Sequence, residues 1–309
     1  MNVYDKNQTR CAVILAGGEG TRLAEVTRRI MGDATPKQFC PLIGGTSLLE
    51  QTCLRASLTI RQDRIFTVVT RAHERHYRDL LKEILPENLV VQPENRGTAP
   101  AILYALLRLA AVAPDACVAV LPSDHFVSDD REFMRHVDLA FDAVGSRPEM
   151  TALLGITPLA AESGYGWIEP GQLVDTRAPL FSVRRFWEKP RSDVAAELLS
   201  AGCMWNSFVM VARVSTLIGL IMVALPDLFA SFRKIHEQLA SAREAGGIER
   251  LYARIPPACF SAEVLERYPI NLGVVPVHGL EWSDLGESHR VMAVLSRLGL
   301  HPEWESASP

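Results

Sequence analysis

A glycine-rich segment near the start of the chain has residue types that could bind phosphate. It reads AGGEGTR over residues 16–22, directly after a short apolar run. Glycines remove side chains where a backbone wraps closely around a ligand, and successive exposed N–H groups form a nest for an anion. A Walker A loop would end in Gly-Lys-Ser or Gly-Lys-Thr, and a dinucleotide fingerprint starting at Gly18 would need glycine where Leu23 stands. The segment is therefore another kind of phosphate loop or, alternatively, a plain tight turn.

Lysine is scarce in this chain, so a lysine within a motif is informative. The sequence has 27 arginines and only five lysines. Lys37 lies in the segment PKQF, fifteen residues after Arg22, and Lys189 directly precedes Pro190. Arg22 and Lys37 are thus two cations that follow one glycine-rich loop, and together they would suit the charge of a triphosphate. The alternative for Lys37 is a solvated side chain in a loop.

The elements that must position these residues alternate between strand and helix in the first half. Short apolar β-branched runs predict strands, and apolar residues at helical spacing predict helices. Ser47, with Glu50 three residues later, forms a capping-box pattern. The predicted strands are 11–15, 65–69, 89–92, 117–121 and 151–156, and the predicted helices are 47–58, 73–84, 98–113 and 130–144. This alternation predicts an α/β fold with a mostly parallel sheet, helices on both faces, and ligands at the carboxyl ends of the strands.

The second half of the chain is more mixed. Strands are predicted over 165–169, 180–187, 207–211 and 271–276, and helices over 192–200, 214–223, 227–244 and 287–297. Neither a repeat nor a linker rich in Pro, Gly or Ser separates the two halves. We therefore expect one domain over 1–309, with lobes at about 8–145 and 146–297 and a surface tail at 298–309.

Composition limits the function classes. The 309 residues carry a net charge of −4 and are 48% hydrophobic, which is typical of a globular protein. This charge balance gives no basic surface for nonspecific binding, so neither a nucleic-acid nor a membrane partner is expected. The apolar run at 217–225 is too short for a membrane helix, and the first ten residues lack a signal-peptide core. The six cysteines show no C-x-x-C spacing and suit buried thiols in a reducing cytoplasm.

The order of short motifs resembles that of the sugar-1-phosphate nucleotidyltransferases, and most closely their mannose-1-phosphate guanylyltransferase branch. LAGGEGTRL is followed by PKQF, as in that family. Each block is weak alone, but the ordered set covers roughly residues 11–295 and is specific. The further blocks are QPENRGTAPA at 92–101, LPSDH at 121–125, SGYGWIE at 163–169, EKP at 188–190, WNS at 205–207 and WSDLG at 282–286.

The resemblance implies a Rossmann-like, GT-A-like nucleotidyltransferase fold with a mixed sheet flanked by helices, and it implies a role for each matching residue. The first lobe would bind nucleotide and the second would bind the sugar phosphate. The implied catalytic residues are Arg22, Lys37, Asp124, Lys189 and Asp284, with Asp124 and Asp284 as ligands of magnesium (Mg²⁺). The implied nucleotide-binding residues are Ala16, Gly17, Gly18, Gly20, Thr21, Gly97 and Thr98. The implied sugar-binding residues are Gly166, Glu169, Glu188 and Asn206.

The implied activity is transfer of the nucleotidyl group from GTP to mannose 1-phosphate, which gives GDP-mannose and diphosphate. A phosphate oxygen of the sugar attacks the α-phosphorus in line. Because that oxygen is already an anion, no general base is needed, and catalysis depends on positioning and charge neutralisation. Mg²⁺ held by one or two carboxylates meets this need. The expected partners are GTP and a sugar 1-phosphate, and a homodimer is the oligomer considered.

The chain departs from the family pattern in several respects. The stretch between Arg22 and Lys37 is about four residues longer than in the guanylyltransferase branch, so we expect a mobile loop at 24–35 that orders when triphosphate binds. Gly97 stands where many relatives have Asn, so the identity of the nucleotide base that the enzyme selects stays open. The chain shows neither the fused isomerase domain nor the β-helix repeats of longer members, so we expect a single activity.

Two alternatives remain. The same fold could use another base or sugar; the methylerythritol-phosphate cytidylyltransferases also carry PKQF, although they lack the EKP, WNS and WSDLG blocks. The second alternative is a regulator that binds a nucleotide sugar without turnover. The presence of all five implied catalytic residues favours an enzyme.

Overall fold

The strands give the fold its frame. The computed structural model of the chain describes residues 9–175, 178–239, 241, 243–302 and 304. Within these residues nine strands form one sheet, and β5 (Phe126–Val127) and β11 (Trp282–Ser283) form a separate antiparallel ribbon. The nine are β1 (Arg10–Leu15), β2 (Ile65–Thr70), β3 (Leu89–Gln92), β4 (Cys117–Pro122), β6 (Thr151–Ile156), β7 (Trp167–Asp175), β8 (Leu180–Trp187), β9 (Met204–Arg213) and β10 (Leu272–Val277).

The sheet is mixed, with the order β3-β2-β1-β4-β9-β6-β10-β8-β7. Its first four strands are parallel, and β6 is parallel to β10. Strand β9 runs antiparallel between β4 and β6, and β7 and β8 are also joined by antiparallel pairing. The predicted α/β fold with a mixed sheet is confirmed, and the parallel arrangement is concentrated in the first half. The carboxyl ends of β1, β2, β3 and β4 therefore meet at one edge.

The helices cover both faces of this sheet. In chain order they are α1 (Ala24–Met31), α2 (Leu48–Ser57), α3 (Glu74–Tyr77), α4 (Thr98–Val112), α5 (Asp130–Ser146), α6 (Ser192–Ser200), α7 (Val214–Ala224), α8 (Pro226–Arg233), α9 (Glu244–Tyr252) and α10 (Ser288–Arg297). The capping box predicted at Ser47 is confirmed, since its side chain accepts from the N–H of Glu50 and the Glu50 carboxylate accepts from the N–H of Ser47. Two predicted helices are shorter than expected: 73–84 is regular only in α3, and 227–244 divides into α8 and the start of α9.

Two apolar cores lie on opposite faces of the sheet, which explains the continuous apolar run of β1. Cys11 and Val13 face the core that contains α4, α7, α8 and α9. Ala12 and Ile14 face the core that contains α2, α5 and α6. A strand buried on both faces needs apolar residues at successive positions instead of alternating ones. Of the six cysteines, four are buried as expected and Cys259 is exposed.

A third apolar cluster lies between α1 and α10, and it corrects the loop expected at 24–35, because residues 24–31 form a helix. Leu23, Val26 and Ile30 recur at i, i+3 and i+7, and they pack with Val291 and Val294 of α10. Gly32, with φ of 81°, ends the helix as a left-handed C-cap. Residues 24–31 are therefore a packed amphipathic helix that directly follows the glycine-rich segment.

None of the described helices is by itself long and apolar enough to cross a membrane. The helices α7 and α8 reach that length and apolarity only together, and the chain bends by 118° between them. Residues 1–8 of the N-terminal segment lie outside the described residues. Residues 303 and 305–309 of the predicted tail also lie outside them.

Candidate active site

The glycine-rich segment leaves the carboxyl end of β1 and enters a helix. Gly20 has φ of 63°, in the left-handed region that favours glycine, and the 3-10 turn Thr21–Leu23 runs straight into α1. The side chain of Arg22 and the backbone of Gly18 are exposed. The unpaired N–H groups and dipole at a helix N-terminus favour an anion. The local structure therefore suits a phosphate group beside Arg22.

Side chains from two other segments hold the carbonyl groups of this loop. Gln38 Nε2 donates to the carbonyl oxygens of Ala16 (3.0 Å) and Gly18 (2.7 Å). Thr70 Oγ1 donates to the carbonyl oxygen of Gly17 at 3.0 Å. Carbonyl oxygens would repel phosphate, and here three successive ones are bonded to the protein. The PKQF motif thus supplies Gln38 as a support for the loop, a role that the sequence analysis missed.

Lys37 is the buried cation at the centre of the site, with only 8% of its surface exposed. Its Nζ lies 3.1 Å from Asp124 Oδ2. The same ammonium donates to the carbonyl oxygens of Asp284 and Leu285. Lys37 and Asp284 are 247 positions apart, so the fold has brought three predicted site residues (Lys37, Asp124 and Asp284) to one point.

Basic side chains surround the two aspartates. Burial acts to raise the pKa of Asp284, but His125, Lys37 and Arg290 outweigh it and hold that pKa below its usual value. Burial lowers the pKa of His125 to about 4, with Lys37 acting in the same direction and Asp124 against it. His125 is therefore neutral at pH 7, and it packs edge-on against Trp282 with ring centroids 5.1 Å apart.

Asp124 and Asp284 are the predicted ligands of Mg²⁺, and carboxylate oxygens are donors that this ion accepts. Asp284 Oδ1 accepts from Arg290 Nη1 and from the N–H of Gly286, both at 2.8 Å, while Oδ2 has no hydrogen bond among the described residues. No group of three or more His, Cys, Asp or Glu in the described ranges could enclose a metal. Mg²⁺ is commonly held by one or two carboxylates together with substrate phosphates. The donor set suits such an ion, and its assignment to Asp124 and Asp284 stays a prediction.

The predicted base-binding loop begins α4 and is held by the segment that follows α9. Gly97 has φ of 85°, and a Cβ there would lie 2.4 Å from the carbonyl oxygen of Ala258. Thr98 Oγ1 accepts from the N–H of Phe260 at 2.8 Å. Asn95 Oδ1 accepts from the N–H of Gly97, and its side chain is exposed. The loop is thus fixed in shape, although part of the hydrogen-bonding capacity of Thr98 is used within the protein.

Three of the four predicted sugar-binding residues converge. A Cβ on Gly166 would lie 3.2 Å from both Asn206 Cβ and Glu188 Oε2, so the three residues adjoin and a larger residue at 166 would crowd the other two. Burial raises the pKa of Glu188, although Lys189 and Ser261 act against this. Lys189 Nζ lies 3.6 Å from Glu188 Oε1 and is largely exposed. The N–H of Glu188 is itself held by Glu266 Oε1 at 3.2 Å, a partner that the sequence analysis missed.

Glu169 is the fourth predicted sugar-binding residue, and the structure places its carboxylate elsewhere. Glu169 Oε1 forms an ion pair with Arg184 Nη1 at 2.8 Å. Trp167, two residues earlier on β7, belongs to the core on the opposite face of the sheet from Phe186, which packs against Gly166. Strand alternation puts Glu169 on the face of Trp167. Glu169 is therefore the weakest of the predicted sugar contacts.

A row of aromatic rings joins the sugar-binding cluster to the centre around Lys37. Tyr165, directly before Gly166, packs edge-on against Trp282 (5.2 Å) and Trp205 (4.9 Å). Trp282 precedes Asp284 by two residues, and Trp205 precedes Asn206. The buried tryptophans thus fix the position of Asn206, in the sugar-binding cluster, relative to Asp284, beside Lys37.

Comparison with known proteins identifies the family of the chain. A family model described as nucleotidyl transferase matches residues 11–295. The chain belongs to the nucleotidyl transferase family. The resemblance drawn from the ordered motifs is thereby confirmed.

The similar proteins include enzymes named for mannose 1-phosphate. Xanthan biosynthesis protein XanB of Xanthomonas campestris is 31% identical over 294 residues, which cover 93% of this chain and 60% of that protein. Mannose-1-phosphate guanylyltransferase RfbM of Salmonella typhimurium is 32% identical over 228 residues, which cover 72% of this chain and 46% of the relative. The chain thus spans about half to three fifths of the length of these relatives.

Solved structures share the fold of this nucleotidyl transferase. A Thermus thermophilus structure titled mannose-1-phosphate geranyltransferase superposes with a TM-score of 0.80 at 27% identity and covers 93% of this chain and 80% of that chain. A UDP-glucose pyrophosphorylase bound to UDP-glucose superposes with a TM-score of 0.56 at 15% identity, covering 94% and 98%. The second likeness concerns the fold alone.

Proposed function

We propose that this nucleotidyl transferase moves the nucleotidyl group of a nucleoside triphosphate onto a sugar 1-phosphate, with GTP and mannose 1-phosphate as the substrates. The products would be GDP-mannose and diphosphate. The observation that carries the proposal is the buried ammonium of Lys37, which lies between Asp124 and the backbone at Asp284. The backbone and Cγ of the same lysine adjoin Gly20 of the glycine-rich loop. The names of the relatives supply the choice of base and sugar.

In the reaction, an oxygen of the sugar phosphate forms a bond to the α-phosphorus as the bond from that phosphorus to the diphosphate breaks. Arg22 and the loop at 16–21 hold the β- and γ-phosphates at the start of α1. Lys37 neutralises charge where the α-phosphate reacts. Lys189, on the exposed side of the sugar-binding cluster, receives the phosphate of the sugar. The residues mainly position and neutralise, which is the usual requirement of phosphoryl transfer.

Glu188 and Asn206 would orient the sugar through hydrogen bonds to its hydroxyl groups. Gly166 lies next to both residues and has no side chain that would compete with the sugar for space. Asp124 and Asp284 would hold Mg²⁺, which would supply positive charge between the two reacting phosphates. The first half of the chain would act as the nucleotide lobe and the second half as the sugar-phosphate lobe. Glu169 has no part in this scheme.

A matrix of four nucleoside triphosphates against several sugar 1-phosphates, followed by diphosphate release, tests the proposal. Guanine presents N1–H and N2–H donors beside the O6 acceptor, which suits the polar loop at 95–98. We expect kcat/KM for GTP to exceed that for other triphosphates by at least ~10-fold, about 1.4 kcal/mol. Equal use of UTP would refute the guanylyl assignment but not nucleotidyl transfer. Binding of GDP-mannose without any diphosphate release would instead identify the regulator.

A further inference from the structure

Arg290 is a buried arginine that contacts the predicted metal ligand Asp284, and no motif in the sequence pointed to it. It lies in the first turn of α10 with 7% of its surface exposed. Nη1 donates to Asp284 Oδ1 at 2.8 Å, and Nη2 donates to Glu162 Oε2 at 2.9 Å. The guanidinium carbon lies 4.2 Å from the ring centre of Tyr165. Three different groups therefore hold the guanidinium: two carboxylates at its nitrogens and one aromatic ring at its face.

These contacts determine which oxygen of Asp284 is available. Oδ1 is engaged by both Arg290 and the N–H of Gly286, so Oδ2 is the oxygen left open within the described structure. A Cβ at Gly286 would lie 2.6 Å from Oδ2, so glycine keeps that side clear. Arg290 also places a permanent positive charge 2.8 Å from this carboxylate. A carboxylate with one fixed oxygen and one open oxygen suits a monodentate metal ligand.

The same arginine explains two residues of the SGYGWIE motif. A Cβ at Gly164 would lie 2.6 Å from Arg290 Nη2, so any larger residue would displace the guanidinium. Tyr165 provides the ring on which the guanidinium packs. Gly166, the next residue, forms the floor of the sugar-binding cluster. The loop at 162–166 therefore connects Asp284 to the sugar-binding cluster through Arg290.

We propose that Arg290 is a positioning residue that orients Asp284 and thereby sets the affinity of the site for its divalent cation. The inference rests on the proposed function, because Asp284 must be a ligand of that cation. Groups that orient metal ligands commonly change metal affinity or activity by about 10- to 100-fold when they are removed. Arginine suits this position since its planar fork can serve two carboxylates at once, whereas lysine presents one point charge.

The test compares Arg290→Met and Arg290→Lys with the control Arg297→Met, which removes an exposed arginine from the same helix. Two quantities are measured: the Mg²⁺ concentration that gives half-maximal diphosphate release, and Mn²⁺ binding by electron paramagnetic resonance with GDP-mannose at saturation. Arg290→Met is expected to weaken both by ~10-fold or more, with a smaller loss for Arg290→Lys and none for the control. The KM for GTP at saturating Mg²⁺ is expected to stay within about threefold of the wild type.

The outcomes separate the two levels of inference. If Arg290→Met lowers thermal stability and leaves both metal constants within twofold of the wild type, Arg290 is merely structural and the inference is wrong. If Arg290→Met does not fold, Glu162→Gln retains Arg290 and loosens its second anchor, and unchanged metal constants in that variant refute the inference. If the wild type itself needs no divalent cation for diphosphate release, the assignment of Asp284 within the proposed function fails first.

Discussion

Replacing Asp124 by asparagine tests the centre of the site. Asparagine keeps the shape of the side chain and one oxygen acceptor, but it removes the charge that lies 3.1 Å from the ammonium of Lys37. Lys37 would retain the carbonyl oxygens of Asp284 and Leu285 as acceptors. The substitution therefore changes electrostatics at the site with little change in packing.

The size of the effect differs between folding and catalysis. At an effective dielectric constant of about 20, unit charges at the separation of Lys37 and Asp124 attract by about 5 kcal/mol. The cost of burying both charges offsets most of this, so we expect the free energy of unfolding to fall by about 1–3 kcal/mol. Turnover is expected to fall by ~100-fold or more, because the site loses a fixed charge and one of the two predicted cation ligands.

The assay combines diphosphate release at saturating substrates with chemical denaturation. Asp138→Asn is the control, since it removes a carboxylate 2.9 Å from Arg10 at a distance from the site. Asp284→Asn should resemble Asp124→Asn, and the double variant should lose less than the two single losses combined, since both residues would serve one ion. A folded Asp124→Asn protein with turnover within threefold of the wild type would refute the role of this carboxylate.

Three further predictions follow from the structure. Gly17→Ala should lower the free energy of unfolding by about 1–3 kcal/mol, because its Cβ would lie 2.7 Å from Gln92 Nε2, whereas Gly18→Ala, with no atom within 4 Å, should change it by less than about 0.5 kcal/mol; equal effects in denaturation would contradict the packing. Amides 28–31 of α1 should be protected from hydrogen exchange without ligand, and exchange at the rate of an unstructured peptide would contradict the helix. Burial raises the pKa of Glu188, so the folded state binds the proton of this carboxyl group more readily than the unfolded state does. The contribution of this group to stability is therefore lost as pH rises through its pKa in the folded state. Glu188→Gln should therefore raise the melting temperature at pH 7, with no gain below the ordinary glutamate pKa, and should raise the KM for the sugar phosphate; an unchanged melting temperature at pH 7 would oppose this.

Local patterns predicted most of the elements because their causes are local. The apolar run of β1 and the capping box at Ser47 depend on neighbours a few residues away, and both are observed. The same spacing argument would have found α1 from Leu23, Val26 and Ile30. The extra length of the stretch between Arg22 and Lys37 suggests a loop instead, and this masks the helical spacing. The charged positions that alternate with these apolar ones are the exposed face of the helix.

The contacts within the site could not be predicted in the same way, since they join distant segments. The carbonyl group that Lys37 binds at Asp284 carries no signal in the sequence, because every residue has a carbonyl group. Arg290 is one of 27 arginines, and only its burial and its contacts with Asp284 and Glu162 reveal that its side chain points inward. Glu169 shows the reverse case: it matches a family motif, yet its carboxylate pairs with Arg184.

Backbone conformation marks the same places independently of the motifs. The described residues other than glycine with positive φ are Lys189 (49°), Phe208 (61°), Asn271 (62°) and Leu285 (46°). Asparagine adopts this region readily, but for Lys, Phe and Leu it costs about 1–3 kcal/mol, and such strain persists only where the surroundings impose it. Lys189 adjoins Glu188, Phe208 donates its N–H to Asn206 Oδ1, and Leu285 follows Asp284. The strained residue Leu285 carries one of the two carbonyl oxygens that accept from Lys37, and Asp284 directly before it carries the other. The bonds to a buried ammonium thus oppose the strain, which ties the backbone of the WSDLG segment to the cation beside the glycine-rich loop.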